Sequence, residues 1–461
     1  MKRKLFLTLI ILGVLLVAGV WIGWRVTVGY LTPDFLVAQI ERKWHCRAHI
    51  DAVTVRMTGT AAVELTGLAL APRDEHAGQG KPLAERPALE AGAAPLRCES
   101  VSLEIRPAEL IQRKVNIQRL TIAGLAVDTA IDRNGDATVE RLFDPLPAAH
   151  PAGDETVSAM AAAGAEMEAG TFSTVADRVE VKGGQASFLV EASGTIIRLD
   201  GLELALTEID VDPAEPAAHN RARFQFSSEL IVAPPSSDQA ETAEHLRGRV
   251  SGSGEAAPLN VTTGRMDPAW TCDLTLHQGT QINTFPVIDR LQKLLEGIDT
   301  AGVDLKDLNI RGTLLADANT RVAHAGGRYL IEQPLQLALP DTQLVLNDGS
   351  WLHTGTNQHE IRGQVVASEV LTRKIEGKVD AYLKKKARGL PAESLRQLVL
   401  GPVTKDGRLA LEFTSSGDLA KPKADIVTPL GNLSEVIDTG KETIKTLEEV
   451  GKSLLKGLFG N

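Results

Sequence analysis

At 461 residues the chain has room for two or three domains or for one elongated one. A formal net charge of −10 disfavours nucleic acid as a partner and disfavours an electrostatic hold on anionic membrane surfaces. Aromatic residues at 4 % argue against sugar-stacking platforms and base-stacking sheets.

In chain order the first element is an apolar run from Leu5 to Trp24, uncharged, behind Lys2-Arg3-Lys4 and ahead of Arg25. As a helix it is about 30 Å long, the thickness of a hydrocarbon core, and the leading basic residues hold residues 1–4 in the cytoplasm. Trp21 and Trp24 fall near its outer end, where aromatic rings favour the interface. A cleaved signal peptide is the rival reading; the run is longer than the usual apolar stretch of one, and no small-x-small site follows it. The expectation is a single-pass membrane protein with everything after Arg25 outside the cytoplasm.

Thr32-Pro33-Asp34 reads as a helix start, with Phe35, Leu36, Ile40 and Trp44 at helical spacing behind it. Period-two alternation then predicts strands near 49–57, 61–71, 98–106, 115–123 and 125–132. The pattern is clearest where Val101, Leu103 and Ile105 alternate with Ser100, Ser102 and Glu104. Residues 72–96 read as an exposed loop and 144–176 as a longer Ala/Pro/Gly-rich one. Further strands are expected near 178–182, 186–191, 195–199, 201–209, 222–232, 246–255 and 270–277. After a helix over 285–298, others follow near 303–316, 321–331, 335–339, 343–347, 351–355 and 359–367. A helix near 369–388 carries Lys384-Lys385-Lys386-Ala387-Arg388, read as a solvated face. Strands at 407–415 and 423–428 precede a last amphipathic helix, 431–461, whose leucines suit packing over the end of a sheet or contact with a second membrane or a partner. Regular crossover helices are missing, so the sheet should be mostly antiparallel.

Catalytic and metal signatures are weak. His45-Cys46-x-x-His49 has metal-capable residues but no second ligand pair. Asp132-x-Asn134-x-Asp136 begins like a calcium loop and fails at Ala137, where glycine is needed, and at Phe143, where a bidentate glutamate belongs. His353 and His359 lie on adjoining expected strands with no acid or nucleophile at a telling spacing. No phosphate loop or nucleophile elbow occurs. Neither a cofactor nor an enzymatic activity is expected. Cys46, Cys98 and Cys272 are an odd set for an oxidising compartment. Cys46 and Cys98 open strands separated by one neighbour, about 9.6 Å apart and too far to bridge, unless a different strand order brings them together.

The order of motifs carries a resemblance. Ile117, Leu120, Ile122, Gly124 and Val127 lead to Asp132-Arg133-Asn134-Gly135; Arg178 to Phe188 and Ile197 to Leu206 form a strand pair; Leu411 to Lys423 closes with Gly417-Asp418 and Pro422-Lys423. This succession, over about residues 30–430, resembles the AsmA-like family of bridge-like β-groove proteins. The resemblance implies an inner-membrane-anchored periplasmic protein supporting phospholipid transport and outer-membrane integrity, with an outer-membrane or periplasmic protein as a possible partner. It also implies the architecture: mainly β, a long twisted, mostly antiparallel sheet curled into an open groove, behind a transmembrane helix (5–24) and with a few short amphipathic helices. The modules would be 25–143 and 177–430, joined by the 144–176 loop.

The groove would be lined by the alternating apolar residues Val101, Leu103, Ile105, Leu202, Leu204, Leu206, Phe224, Phe226, Leu335, Leu337, Leu339, Leu409, Leu411 and Phe413. A closed sandwich would bury the same residues against a second sheet; its functional counterpart is a non-transporting scaffold that assists outer-membrane protein assembly.

Overall fold

The computed structural model describes residues 32–427, without 59, 74–88, 90, 106–114, 134–136, 144–173, 213–214, 235–243, 263–265, 297–298, 301–302, 305–307, 387–395 and 398–399. The expected membrane anchor 5–24, the last helix 431–461 and most of the 144–176 loop lie outside the described residues. No described helix is long and apolar enough to cross a membrane. The chain is mainly β and divides into two compact units. The division falls between His277 and Gln278, with Arg321–Tyr329 and His353–Asn357 returning to the first unit.

The first unit opens with helix α1 (Pro33–Lys43), whose first turn Thr32 caps by accepting a hydrogen bond from the Phe35 amide. Strands β1 (Cys46–His49) and β2 (Ala52–Thr58) pair end to end along one side of β3 (Thr60–Pro72). The ladder continues antiparallel through β4 (Leu96–Ile105) to β5 (Val115–Ala123), whose neighbour β6 (Ala126–Ile131) carries on the same line. The next step is parallel: β7 (Thr174–Ala176) and β8 (Arg178–Val190) run alongside β5 and β6. Antiparallel pairing then resumes through β9 (Thr195–Val211), β10 (Asn220–Ala233), β11 (Leu246–Leu259) and β12 (Met266–Leu276).

The sheet is mostly antiparallel, as expected, with one parallel join, because a long connection returns the chain beside β5 and β6 in the same direction, which a tight hairpin cannot do. One expectation changes. Residues 178–191 and 195–209, expected as four strands, are two, because Gly183 and Gly201 hold positive φ inside bulges and do not end the strands.

These bulges align. The chain breaks at Ile50-Asp51 between β1 and β2, Gly67 and Glu99 drop out of the β3–β4 register, Gly124 joins β5 to β6, and Gly183 interrupts β8. A crease therefore runs across the ladder, bending each strand at one level. Gly124 has φ +59, and a Cβ there would collide with the Glu99 side chain. Glycine is needed twice over at this corner, for its backbone and for its missing side chain.

In the second unit, β13 (Gln281–Ile282) leads to helix α2 (Pro286–Glu296), which buries Ile288, Leu291 and Leu295. The two-residue strands β14 (Asp299–Thr300) and β15 (Val303–Asp304) pair with each other, and β16 (Gly312–Thr313) with β13. The long strand expected over 303–316 is not formed. Leu308, Ile310 and Leu314 are buried as its alternation required, but Gly312 has φ +136 and the Ile310 amide donates to the Gln292 side chain on α2 instead of to a ladder. Beyond β17 (Ala318–Ala325) and β18 (Arg328–Ile331) the main ladder runs antiparallel from β19 (Leu335–Ala338) to β20 (Thr342–Leu346). The short β21 (Trp351–His353) precedes β22 (Gln358–Ala367), which takes the place next to β20. Helix α3 (Glu369–Lys386) follows, then the hairpin strand β23 (Thr404–Lys405), β24 (Arg408–Asp418) beside β22, and β25 (Lys423–Ile426) beside β24.

Candidate functional site

Cross-strand register puts the alternating apolar residues of each unit on one face. In the first unit Val101 lies opposite both Leu65 and Ile122, Leu103 opposite Val63 and Leu120, and Val179 opposite Leu206, which faces Phe224 in turn. In the second unit Leu337, Leu344, Val365 and Leu411 form a row across four strands. Bulges do not break the face, because each adds one residue and restores the alternation on its far side.

Of the fourteen expected lining residues, twelve are no more than 9 % exposed; Leu204 and Phe224 are half-buried. Part of the cover is identifiable. Helix α1 buries Leu36 and Val37, and a 3₁₀ turn at Thr138–Phe143 buries Val139, Leu142 and Phe143 against β1, β3 and β6, with the Phe143 ring edge-on to Trp44. In the second unit α3 buries Leu371, Ile375 and Val379, and its Thr372 hydroxyl accepts a hydrogen bond from the Leu409 amide of β24.

Sequence reasoning missed an aromatic cluster on this face of the first unit. Phe224 and Phe226 lie across from Gly254 and Gly252, and their rings occupy the space that a Cβ on those glycines would need. Trp270 meets Phe224 edge-on at 6.2 Å and stacks on His324 at 5.3 Å, and Tyr329 closes against both Trp270 and His324. Phe224, Trp270 and Tyr329 are half-buried, so this end of the apolar face is the part that meets solvent. The signal was present as Phe-x-Phe and Gly-x-Gly in successive strands, but it means ring-over-glycine packing only once their register is known. Phe413 does the same to Gly363 in the second unit.

The candidate chemistry resolves into ordinary contacts. His49 Nε2 is 2.8 Å from Asp51 Oδ1, and Cys46, three residues before His49, is buried. Among the described residues no three metal-capable side chains converge. Ile131 and Ala137 pair as an isolated antiparallel bridge, and Asn134 and Asp136 of the calcium-loop-like run lie outside the described residues. Cys46 and Cys98 flank β3 on opposite sides and are free thiols, as is Cys272; burial pushes both Cys46 and Cys98 up to about 12.

Two Ser–His contacts had not been anticipated, because their members are far apart in sequence. His359 Nδ1 donates to the Gly417 carbonyl at 2.7 Å and its Nε2 accepts from Ser415 at 2.8 Å. Both side chains are almost wholly buried, and burial depresses the His359 pKa, so this is a neutral ring tying β22 to β24 and not an accessible nucleophile–base pair. Ser251 Oγ lies 2.8 Å from His277 Nε2 on the opposite, polar face of the first unit.

That polar face is laced with ion pairs. Burial works against the charge of Glu180, but hydrogen bonds from Lys182 and Arg178 outweigh it and hold the carboxyl below its usual range. Arg223 reaches Glu208 and Glu255, and Arg247 reaches Glu229 and Glu244. Two adjoining clefts of about 490 and 520 Å³ lie among these strands. Neither models of known families nor curated proteins give a match to this chain.

Proposed function

We propose that the protein is an inner-membrane-anchored, periplasmic envelope protein of AsmA-like kind that supports phospholipid transport by holding acyl chains on the apolar face of its sheets. The observation that carries the reading is the continuity of that face through the first ladder, ending at the half-buried Leu204, Phe224 and Trp270. A lipid with about thirty methylenes loses roughly 25 kcal/mol of hydrophobic stabilisation in water, at ~0.8 for each. An apolar surface that takes up the chains removes most of that barrier without catalysis. Chains would enter at the half-buried end, and the twelve buried positions would have to part to admit them.

The burial of those twelve side chains favours a second reading, in which the apolar faces are closed cores and the protein is a non-transporting scaffold for outer-membrane protein assembly. One set of measurements separates the two. The full chain is purified in mild detergent, its retained phospholipid is counted, and phospholipid transfer between vesicles is timed with and without it. The transport reading expects retained lipid and accelerated transfer, both reduced by Leu204→Glu with little loss of stability. Lipid-free protein that leaves transfer unchanged would refute it. A reporter active only outside the cytoplasm, fused after Asn461, tests the anchor and should be active.

A further inference from the structure

We infer that the polar face of the first unit holds a binding site for a phosphate-type oxyanion, centred on Arg249. The site is built by register. Glu203, Ser227 and Ser251 stand directly opposite one another on β9, β10 and β11, and Gln225 and Ser253 pair in the next row. Arg249 lies one row to the other side, with the His277 amide bonded to its carbonyl. Adjacent strands are about 4.8 Å apart and alternate residues about 6.8 Å apart along a strand, so these side chains share one small area. Short hydroxyl side chains form its floor, and the long side chains of Lys182, Arg249 and Gln225 stand around them. That difference in length makes the cleft of about 490 Å³.

The charges are distributed unevenly between the walls. Glu180 is saturated by Arg178 at 2.6 Å and Lys182 at 3.3 Å. Glu203 accepts from the Gly183 amide at 2.9 Å. Glu229 is the residue directly across from Arg249, yet its carboxylate is taken by Arg247 at 2.9 Å. Among the described residues Arg249 is thus left with no carboxylate within ion-pairing distance, and it is exposed in the cleft. Gln225 and Ser227 make no side-chain hydrogen bond to any described residue either. Arg178, Lys182 and Arg249 against Glu180 and Glu203 leave a local excess of one positive charge, in a chain whose total is −10. A planar guanidinium beside hydroxyl and amide donors matches the tetrahedral oxygens of a phosphate group. The ligand is a phosphate ester or free phosphate; a phospholipid headgroup and a soluble anion share this chemistry.

The test titrates the full chain in detergent, at constant ionic strength, with inorganic phosphate and separately with glycerophosphoglycerol, a water-soluble diester headgroup. Saturable binding of either probe is expected, and whichever binds tighter identifies the source. Arg249→Gln should weaken it roughly tenfold or more, the effect of one charge-assisted hydrogen bond. Arg56→Gln, on the distant edge strand β2, should leave it unchanged. Were Arg249→Gln to misfold, the double variant Ser227→Ala with Ser251→Ala would serve, with a loss of several-fold expected. Absence of saturable binding of both probes, or equal losses in the Arg249 and Arg56 variants, would overturn the proposal. The result is independent of the acyl-chain reading, which retained lipid and transfer rates decide.

Discussion

Leu337→Glu asks whether the apolar face is a dry core. Leu337 is 5 % exposed and sits in a row with Leu344, Val365 and Leu411, each of them buried. Removing the leucine forfeits about 2–3 kcal/mol of burial. Keeping the new carboxyl neutral at pH 7, against a reference value near 4.3, costs about 4 kcal/mol more at ~1.36 per pKa unit. The total, about 6 kcal/mol, is comparable to the whole stability of a marginal domain and corresponds to a fall in Tm of roughly 10–25 °C. The sign with pH is fixed. The carboxyl has a folded pKa raised above its unfolded one, so the charge cost is absent below about pH 4.3 and grows as pH rises from there towards the folded value. Thermal unfolding followed by circular dichroism should therefore show a larger gap from the parent at pH 7 than at pH 4.5. Leu204→Glu, at a half-buried position where water is within reach, should cost only about 1–2 kcal/mol and show little pH dependence. If Leu337→Glu proves as mild as Leu204→Glu at both pH values, water already reaches the interior and the dry-core description is wrong.

Gly124→Ala should destabilise by about 1–2 kcal/mol from its positive φ alone, and adding Glu99→Ala should recover only the part due to collision; full recovery in a denaturant titration would show that the backbone carries no strain. At pH 8 a thiol reagent should label none of the three buried cysteines in the native protein and all of them in denaturant, since burial holds Cys46 and Cys98 at about 12; rapid native labelling would contradict their burial. His359 has a depressed folded pKa, so it should cost stability as pH falls below the ordinary value of 6.5, where the unfolded chain takes up the proton first. His359→Gln should flatten that part of the pH–stability profile, and an unchanged slope between pH 7 and 5 would assign the loss to other groups.

The period-two alternation of residues such as Val101, Leu103 and Ile105 was sufficient to place strands and to choose their buried face, because side-chain direction along a strand is a local property. The start of α1 at Thr32-Pro33-Asp34 was equally local, since a cap and a proline act within one turn. For Cys46 and Cys98 the sequence left two outcomes that depended on strand order, and the placement of β3 between them decides for free thiols. What required the tertiary structure was everything set by pairing between distant strands. The parallel join of β5 and β6 to β8 depends on how a long connection returns, and no residue type encodes that direction. Gly183 and Gly201 are the same residue whether a strand ends or bulges; only the continued pairing on either side distinguishes the two. Residues 303–316 alternate like a strand, yet at 308–311 the Gln292 side chain and the turn in the backbone at Gly312 take the chain out of the ladder. The Arg249 cleft is the extreme case. Lys182, Ser227 and Ser251 come from three strands and His277 follows directly on a fourth, and register makes them neighbours, while a competition among Arg247, Arg249 and Glu229 decides which guanidinium is left over.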